Sequence, residues 1–99
     1  MSDLMRDSVL EILEINREDL RTYGVRSISL FGSIARGDAH PGSDVDLLVD
    51  VDDDVSLFGL SRLKFHLEDV LGMRVDLVTP DALRPHMRDA ILAEAIRAA

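Results

Sequence analysis

Two aspartates lie two residues apart in Asp44-Val45-Asp46, at the start of an apolar run. On a β-strand, side chains two positions apart point to the same face, so Asp44 and Asp46 would present two carboxylates side by side. Such a pair of like charges is costly in a half-buried position unless a cation shares it. Because carboxylates are hard oxygen ligands, the segment predicts a Mg²⁺ site. A solvated strand edge or turn is the plain structural alternative.

A third acidic residue, Asp76, lies between Val75 and Leu77 in a second short apolar segment. If the strand that carries Asp76 lies beside the strand of Asp44 and Asp46, the three carboxylates come together and a two-metal arrangement becomes feasible. Spacing along the chain does not determine the direction or order of the strands. The contribution of Asp76 is therefore a hypothesis about the sheet.

The segment before the aspartates, residues 31–37, has the composition of a phosphate-binding turn. A glycine directly after a strand lets the backbone approach a ligand closely, and a helix that starts there presents free N–H groups. Together with the hydroxyl of Ser33, this geometry suits the β- and γ-phosphates of a nucleotide. Gly-Ser alone is common at strand ends. Gly32-Ser33 followed, after ten residues, by Asp-x-Asp is a specific combination.

With both segments considered, the chain resembles the minimal nucleotidyltransferases (MNT), a group within the DNA polymerase β nucleotidyltransferase superfamily. Residues 32–37 and 43–49 carry the resemblance, and the predicted strand 74–78 fits where the family has its third carboxylate. The resemblance covers nearly the whole chain. It implies a polymerase-β-like α/β fold, with a small mixed β-sheet covered by helices, and a single minimal nucleotidyltransferase domain over residues 1–99.

The resemblance also implies roles for individual residues. Gly32 and Ser33 would hold the nucleotide phosphates, and Asp44 and Asp46 would ligate Mg²⁺ or Mn²⁺. Asp76 would ligate metal or activate the acceptor hydroxyl.

Arg36 matches the family motif as a nucleotide-binding residue, and two roles stay open for it. The guanidinium would either pair with a phosphate or hold the loop through Asp38. These two roles predict different partners for the same side chain.

The implied reaction is transfer of a nucleoside monophosphate, here AMP from ATP, to an acceptor hydroxyl with release of pyrophosphate. In size and motif the chain resembles the antitoxin of HEPN–MNT toxin–antitoxin pairs, for which the acceptor is a tyrosine of the HEPN ribonuclease. The expected partners are thus a HEPN-family ribonuclease toxin, in a hetero-oligomer, and a nucleoside triphosphate. Two alternatives stay open: a contact-only antitoxin or binding module with a dispensable active site, and a small-molecule enzyme of the aminoglycoside type.

Helical and strand periodicities alternate along the chain, which is typical of an α/β domain. Strands are predicted at residues 25–31, 45–51 and 74–78. Helices are predicted over 3–23, 33–37, 57–71 and from Pro85 onward, with a short turn at 80–83. The first helix is predicted to end at Gly24, a glycine at the position that follows a helix C-terminus. It has an alternative start, since Ser8 and Glu11 fit a capping box.

Several apolar side chains of these helices are predicted to face the core. In the third helix, which Ser56 caps and Gly72 ends, the inward side chains are Leu57, Leu60, Leu63, Leu67 and Val70 or Leu71. In the last helix they are Met87, Ile91, Leu92, Ala95 and Ile96.

Composition excludes several classes of protein. The net charge is −8, from 19 acidic and 11 basic residues, and this balance opposes direct nucleic-acid binding, which depends on clustered Lys and Arg. An acidic domain suits a basic protein partner instead.

The chain has no cysteine, which excludes thiolate zinc sites and fits a reducing cytoplasm. It shows neither a signal-peptide pattern nor an apolar run of about 20 residues, so we expect a cytoplasmic protein away from the membrane.

Overall fold

The computed structural model describes the backbone of residues 2–99 and the side chains of residues 4–99. The helices are α1 (Ser2–Ile15), α2 (Arg17–Thr22), α3 (Gly32–Arg36), α4 (Leu57–Leu71) and α5 (Pro85–Glu94). The strands are β1 (Val25–Phe31), β2 (Val45–Val51), β3 (Val75–Val78) and β4 (Ile96–Arg97). A 3-10 turn at Pro80–Ala82 links β3 to α5.

The strands form one mixed sheet in the order β3-β2-β1-β4. Strand β1 is antiparallel to β2 and β4, whereas β2 is parallel to β3. The parallel pair is connected through α4, as a parallel connection requires a crossover segment. The predicted α/β fold with a small mixed sheet is confirmed.

One face of the sheet packs against helices and builds the core. Side chains alternate along β2, so that every second residue from its start points into this core. The fully or almost fully buried aliphatic residues from helices and strands are Val9, Leu13, Leu20, Ile28, Leu30, Ile34, Val45, Leu47, Val49, Leu63, Leu67 and Val75. The opposite face of β2 carries Asp46 and Asp50 with the buried Leu48 between them, so these carboxylates lie on the face away from this core.

The predicted helix over residues 3–23 is two helices, because the chain breaks at Asn16. This residue lies at φ −92° and ψ 11°, and its side-chain Nδ2 donates to the carbonyl of Ile12 at 2.8 Å. Asparagine favours such local bonds over helix continuation. The alternative start is wrong, since α1 begins before Ser8. Gly24 ends α2 with φ +87° as predicted.

The predictions for α4 are confirmed at both ends and wrong at one position. The hydroxyl of Ser56 accepts from Gly59 N–H at 3.2 Å, and Gly72 ends the helix at φ +66°. However, Leu57 is 82% exposed. It occupies the first helical position, where no other element within residues 4–99 covers its side chain.

The prediction for the last helix is wrong in two respects. No residue of α5 is buried, and both Met87 and Leu92 are about half exposed. The helix ends at Glu94, after which Ile96 pairs with Leu30 as part of β4. The edge of β1 would otherwise present unpaired backbone groups, so a strand there gains hydrogen bonds that a longer helix would not.

None of the helices within residues 2–99 combines the length and apolar character that crossing a membrane requires.

Gly24 and Gly42 allow a matched test of packing at positive φ. Both have φ near +90°, but a Cβ on Gly24 would lie 2.5 Å from Val55 Cγ2, whereas nothing lies within 4 Å at Gly42. We expect Gly42→Ala to lower the free energy of unfolding by about 1 kcal/mol and Gly24→Ala by more than about 2 kcal/mol. Urea unfolding measures both. Equal losses would contradict the packing at Gly24.

Candidate active site

The three predicted carboxylates lie at the start of β2 and on its neighbour β3. In the parallel pair, Asp46 and Asp76 are direct partners in register, and partners in register point to the same face of a sheet. Asp44 directly precedes β2, two residues before Asp46. The structure therefore brings the strand of Asp76 beside that of the Asp-x-Asp segment, as the hypothesis about the sheet required.

The carboxylates differ in exposure. Asp46 is half-buried, between strands on both sides, while Asp44 and Asp76 are exposed. Asp44 Oδ1 lies 3.2 Å from Nε of Arg74. With side chains 47% and 78% exposed, this ion pair is weak and easily exchanged. Asp44 is therefore available to another cation.

Burial raises the pKa of Asp46 above its ordinary value, and the negative charges of Asp76 and Asp44 raise it further. The positive charge of Arg36 lowers the pKa of Asp46, and the negative charge of Glu94 raises it by a smaller amount. The charged form of Asp46 is thus disfavoured in the free protein. A bound cation would relieve this cost.

Gly32 lies at the junction of β1 and α3 with φ +79°. A Cβ at this position would overlap the carboxylate of Asp46. The glycine was predicted to permit close approach of a ligand. In this structure the group that approaches it closely is the side chain of Asp46, so the Gly32 turn and this carboxylate are in direct contact.

The short helix α3 begins at Gly32, and its second residue, Ser33, is half-buried. The carbonyl of Ser33 accepts from Asp38 N–H at 3.0 Å, and Gly37 ends the helix at φ +81°. These bonds hold the turn that presents the Ser33 hydroxyl.

Arg36 forms the contact with Asp38 that was one of its two predicted roles, with Nε and Oδ2 3.3 Å apart. Its Nη1 also donates to both carboxylate oxygens of Glu94, at 3.3 Å each. The bonds to Glu94 and Asp38 raise the pKa of Arg36. The role of Arg36 toward a phosphate stays a prediction.

Glu94 was missed by the sequence analysis. Its Oε1 accepts from Gly32 N–H at 3.0 Å, across 62 positions of sequence. Local patterns do not connect such distant residues. One signal was present: an acidic side chain in the last turn of a helix opposes the helix dipole and calls for a compensating donor elsewhere.

Within residues 4–99, no group of three acidic or histidine side chains converges closely enough to hold a metal ion unaided. Mg²⁺ commonly takes only one or two protein carboxylates and completes its shell with water and substrate phosphates. The half-buried Asp46 together with either of its neighbours, Asp76 or Asp44, fits this requirement. Their metal-binding roles, like the phosphate-binding roles of Gly32 and Ser33, stay predictions.

Comparison with known proteins gives consistent matches. A family model described as a nucleotidyltransferase domain matches residues 9–98. The protein adenylyltransferase MntA of Thermococcus cleftensis is 39% identical over 97 residues, which cover 97% of this chain and 98% of the relative.

Solved structures show the same fold. A provisionally assigned minimal nucleotidyltransferase has a TM-score of 0.71 and 40% identity, covering 92% of this chain and 86% of that one. A chain from the complex of a tri-AMPylated Shewanella oneidensis HEPN toxin with an MNT antitoxin has a TM-score of 0.61 at 20% identity, covering 100% and 72%; at this identity the likeness concerns the fold alone. From the family match, the relative and the site geometry, the chain belongs to the nucleotidyltransferase domain family and is a minimal nucleotidyltransferase.

Proposed function

We propose that this chain is an antitoxin that transfers AMP from ATP to a tyrosine hydroxyl of a partner HEPN ribonuclease. The observation that carries the proposal is the in-register pair of Asp46 and Asp76 beside Gly32. The name of the Thermococcus relative, a protein adenylyltransferase, supports a protein acceptor. The Shewanella complex, in which a HEPN toxin is AMPylated and bound to an MNT antitoxin, supports this class of partner.

In the proposed mechanism, Asp44 and Asp46, with Asp76 beside them, would hold Mg²⁺ or Mn²⁺ together with the triphosphate. The bound metal supplies charge neutralisation on the phosphate oxygens. Gly32 N–H and the Ser33 hydroxyl bind and orient the β- and γ-phosphates, so that the α-phosphate faces the carboxylates.

Asp76 is exposed, so it can reach an incoming acceptor. In the transfer step, the acceptor oxygen forms a bond to the α-phosphorus, and the bond from that phosphorus to the bridging oxygen breaks. Pyrophosphate leaves, and the Asp76 carboxylate accepts the hydroxyl proton. AMP is thereby joined to the acceptor.

A protein acceptor fits the shape and charge of this chain. The carboxylates lie on an exposed polar face, so a docked partner would supply the remaining walls and exclude water. The net charge of −8 complements a ribonuclease that must be basic to bind RNA. We further propose that residues 1–99 act as one domain and, because ATP is the donor, that the reaction takes place in the cytoplasm.

Adenylylation of the partner would inactivate it electrostatically. An AMP group adds a negative phosphodiester and bulk to a tyrosine near the ribonuclease site. That charge repels the phosphates of RNA. A small modification is thus enough to neutralise the toxin.

The raised pKa of Asp46 leads to a prediction about stability. In the unfolded chain this carboxyl has its ordinary pKa, about 3.9, so its ionisation destabilises the fold as the pH rises through the folded pKa. We expect Asp46→Asn to raise the Tm of the metal-free protein at neutral pH. The gain should vanish near pH 3, where the carboxyl is protonated in both states.

The matched control is Asp50→Asn, on the same face of β2 but exposed and attracted to Arg26. This variant should leave the Tm unchanged or slightly lower. Thermal unfolding of both variants across pH, in chelator, makes the measurement. An equal rise in Tm for both variants, or a rise that persists at low pH, would contradict the inference that the ionised form of Asp46 destabilises the fold.

The proposed reaction predicts a mass change on the partner. We expect a HEPN ribonuclease co-expressed with this chain to gain the mass of one or more AMP groups, detected by intact-mass spectrometry. The double variant Asp44→Asn, Asp46→Asn should leave the partner unmodified and toxic, whereas Asp50→Asn should modify it normally. Replacing the modified tyrosine by phenylalanine should remove the added mass.

Two other outcomes point to the alternative functions. Neutralisation without added mass, equally efficient with the double variant, would mean that contact alone silences the partner. Transfer of AMP to an aminoglycoside, with none to the partner, would mean that the enzyme acts on a small molecule.

A further inference from the structure

The carboxylate of Glu94 contacts the Gly32 N–H, which the proposed function assigns to the nucleotide, and the guanidinium of Arg36, for which a phosphate contact is predicted. Its Oε1 accepts from Gly32 N–H at 3.0 Å, and both oxygens accept from Arg36 Nη1 at 3.3 Å. A phosphate oxygen is likewise an anionic acceptor that bonds backbone N–H and guanidinium groups. We propose that the Glu94 carboxylate occupies the place of a nucleotide phosphate in the free protein and is displaced when ATP binds.

Glu94 and a nucleotide phosphate must compete, because the hydrogen-bond donors at this site are few. Gly32 has one N–H, which serves one anionic oxygen well. A phosphate held close to the Glu94 carboxylate would also repel it, in a neighbourhood that already contains Asp46, Asp76 and Asp44. The ion pair of Arg36 with Glu94 joins side chains 49% and 28% exposed, so solvent screens it and the triphosphate can replace it. Arg36 keeps Asp38 as a second partner.

Displacement of Glu94 would also affect helix α5, because Glu94 is the last residue of that helix. None of the side chains of α5 is buried. The segment that follows α5 is held separately, by the pairing of β4 with β1, by backbone hydrogen bonds of Ala98 and Ala99 with Ile28, and by burial of Ala98. The bonds of Glu94 to Gly32 and Arg36 therefore link the last turn of α5 itself to α3. Nucleotide binding and the mobility of α5 are thus coupled, and the coupling acts in both directions.

The first test is nucleotide affinity, and it rests on the proposed function. The probe is α,β-methylene-ATP with Mg²⁺, in which the transferable bond is replaced, measured by titration calorimetry. Glu94→Gln keeps the shape of the side chain but loses the charge that makes its hydrogen bonds strong. We expect this variant to bind the probe about tenfold more tightly than the wild type, because the internal competitor is weakened.

Two controls separate competition from a general loss of negative charge. Asp38→Asn removes a carboxylate from the same guanidinium without touching Gly32, and should change the affinity by less than about threefold. AMP, which lacks the β- and γ-phosphates, should bind Glu94→Gln and the wild type equally. Equal tightening in Asp38→Asn, or equal tightening for AMP, would overturn the inference.

A second test needs no variant and so does not depend on how Glu94→Gln folds. Addition of the same probe to the wild type should speed amide hydrogen exchange in residues 91–95 several-fold, while the Gly32 amide stays protected by the phosphate. Unchanged or slower exchange in residues 91–95 would overturn the inference.

The two proposals fail in distinguishable ways. If Ser33→Ala weakens probe binding while Glu94→Gln leaves it unchanged or weaker, Glu94 only supports the loop and the proposed function stands. If neither Ser33→Ala nor Asp46→Asn affects probe binding, the nucleotide lies elsewhere and both proposals are wrong.

Discussion

Parallel pairing of β2 with β3 is the constraint on which the arrangement of the site depends. It sets Asp46 opposite Asp76, and the antiparallel pairing of β2 with β1 sets Asp46 opposite Phe31, the residue before Gly32. A slip of one residue in either pairing would turn these side chains to the other face of the sheet. Aliphatic side chains at Val45 and Leu47, fully buried, oppose such a slip. The hydrophobic core therefore specifies the register that brings the carboxylates together.

This division between the two faces of the sheet explains how a small domain tolerates a concentration of negative charge. Helices α1 and α4 bury the aliphatic face, whereas Asp46 lies half-buried on the other face between two strands. The raised pKa of Asp46 reflects the free-energy cost of holding its carboxylate in the charged form. A site that must bind a cation benefits from such a cost, because it is relieved only when the cation arrives.

Elements that depend on local pattern were predictable from the sequence. The bounds of β1 and β2, the cap at Ser56 and the glycine ends of α2 and α4 agree with the structure, because alternation and capping chemistry act over a few residues. The proximity of Asp76 to Asp46 was a hypothesis about the sheet, consistent with the family resemblance, and the parallel register of β2 and β3 confirms it as geometry. The roles of the site residues in binding and transfer stay predictions.

The features that sequence analysis missed depend on contacts between distant residues. The pairing of β4 with β1 overrides the helical pattern around Ile96, and the bond of Glu94 to Gly32 spans most of the chain. The inward placement of Leu57, Met87 and Leu92 was wrong because helical periodicity shows which side chains share a face and not whether another element covers that face. The break at Asn16 was the one local event missed, a side-chain bond that competes with the helix.

The contact between Gly32 and the carboxylate of Asp46 also has a consequence for how this domain can change over evolutionary time. Since a Cβ at position 32 would overlap that carboxylate, the two positions are not free to vary independently. A lineage that shortens the side chain at 46 would relax the steric requirement at 32, although the positive φ there would still favour glycine. Substitution at this pair should therefore begin at the aspartate, with the glycine changing only afterwards.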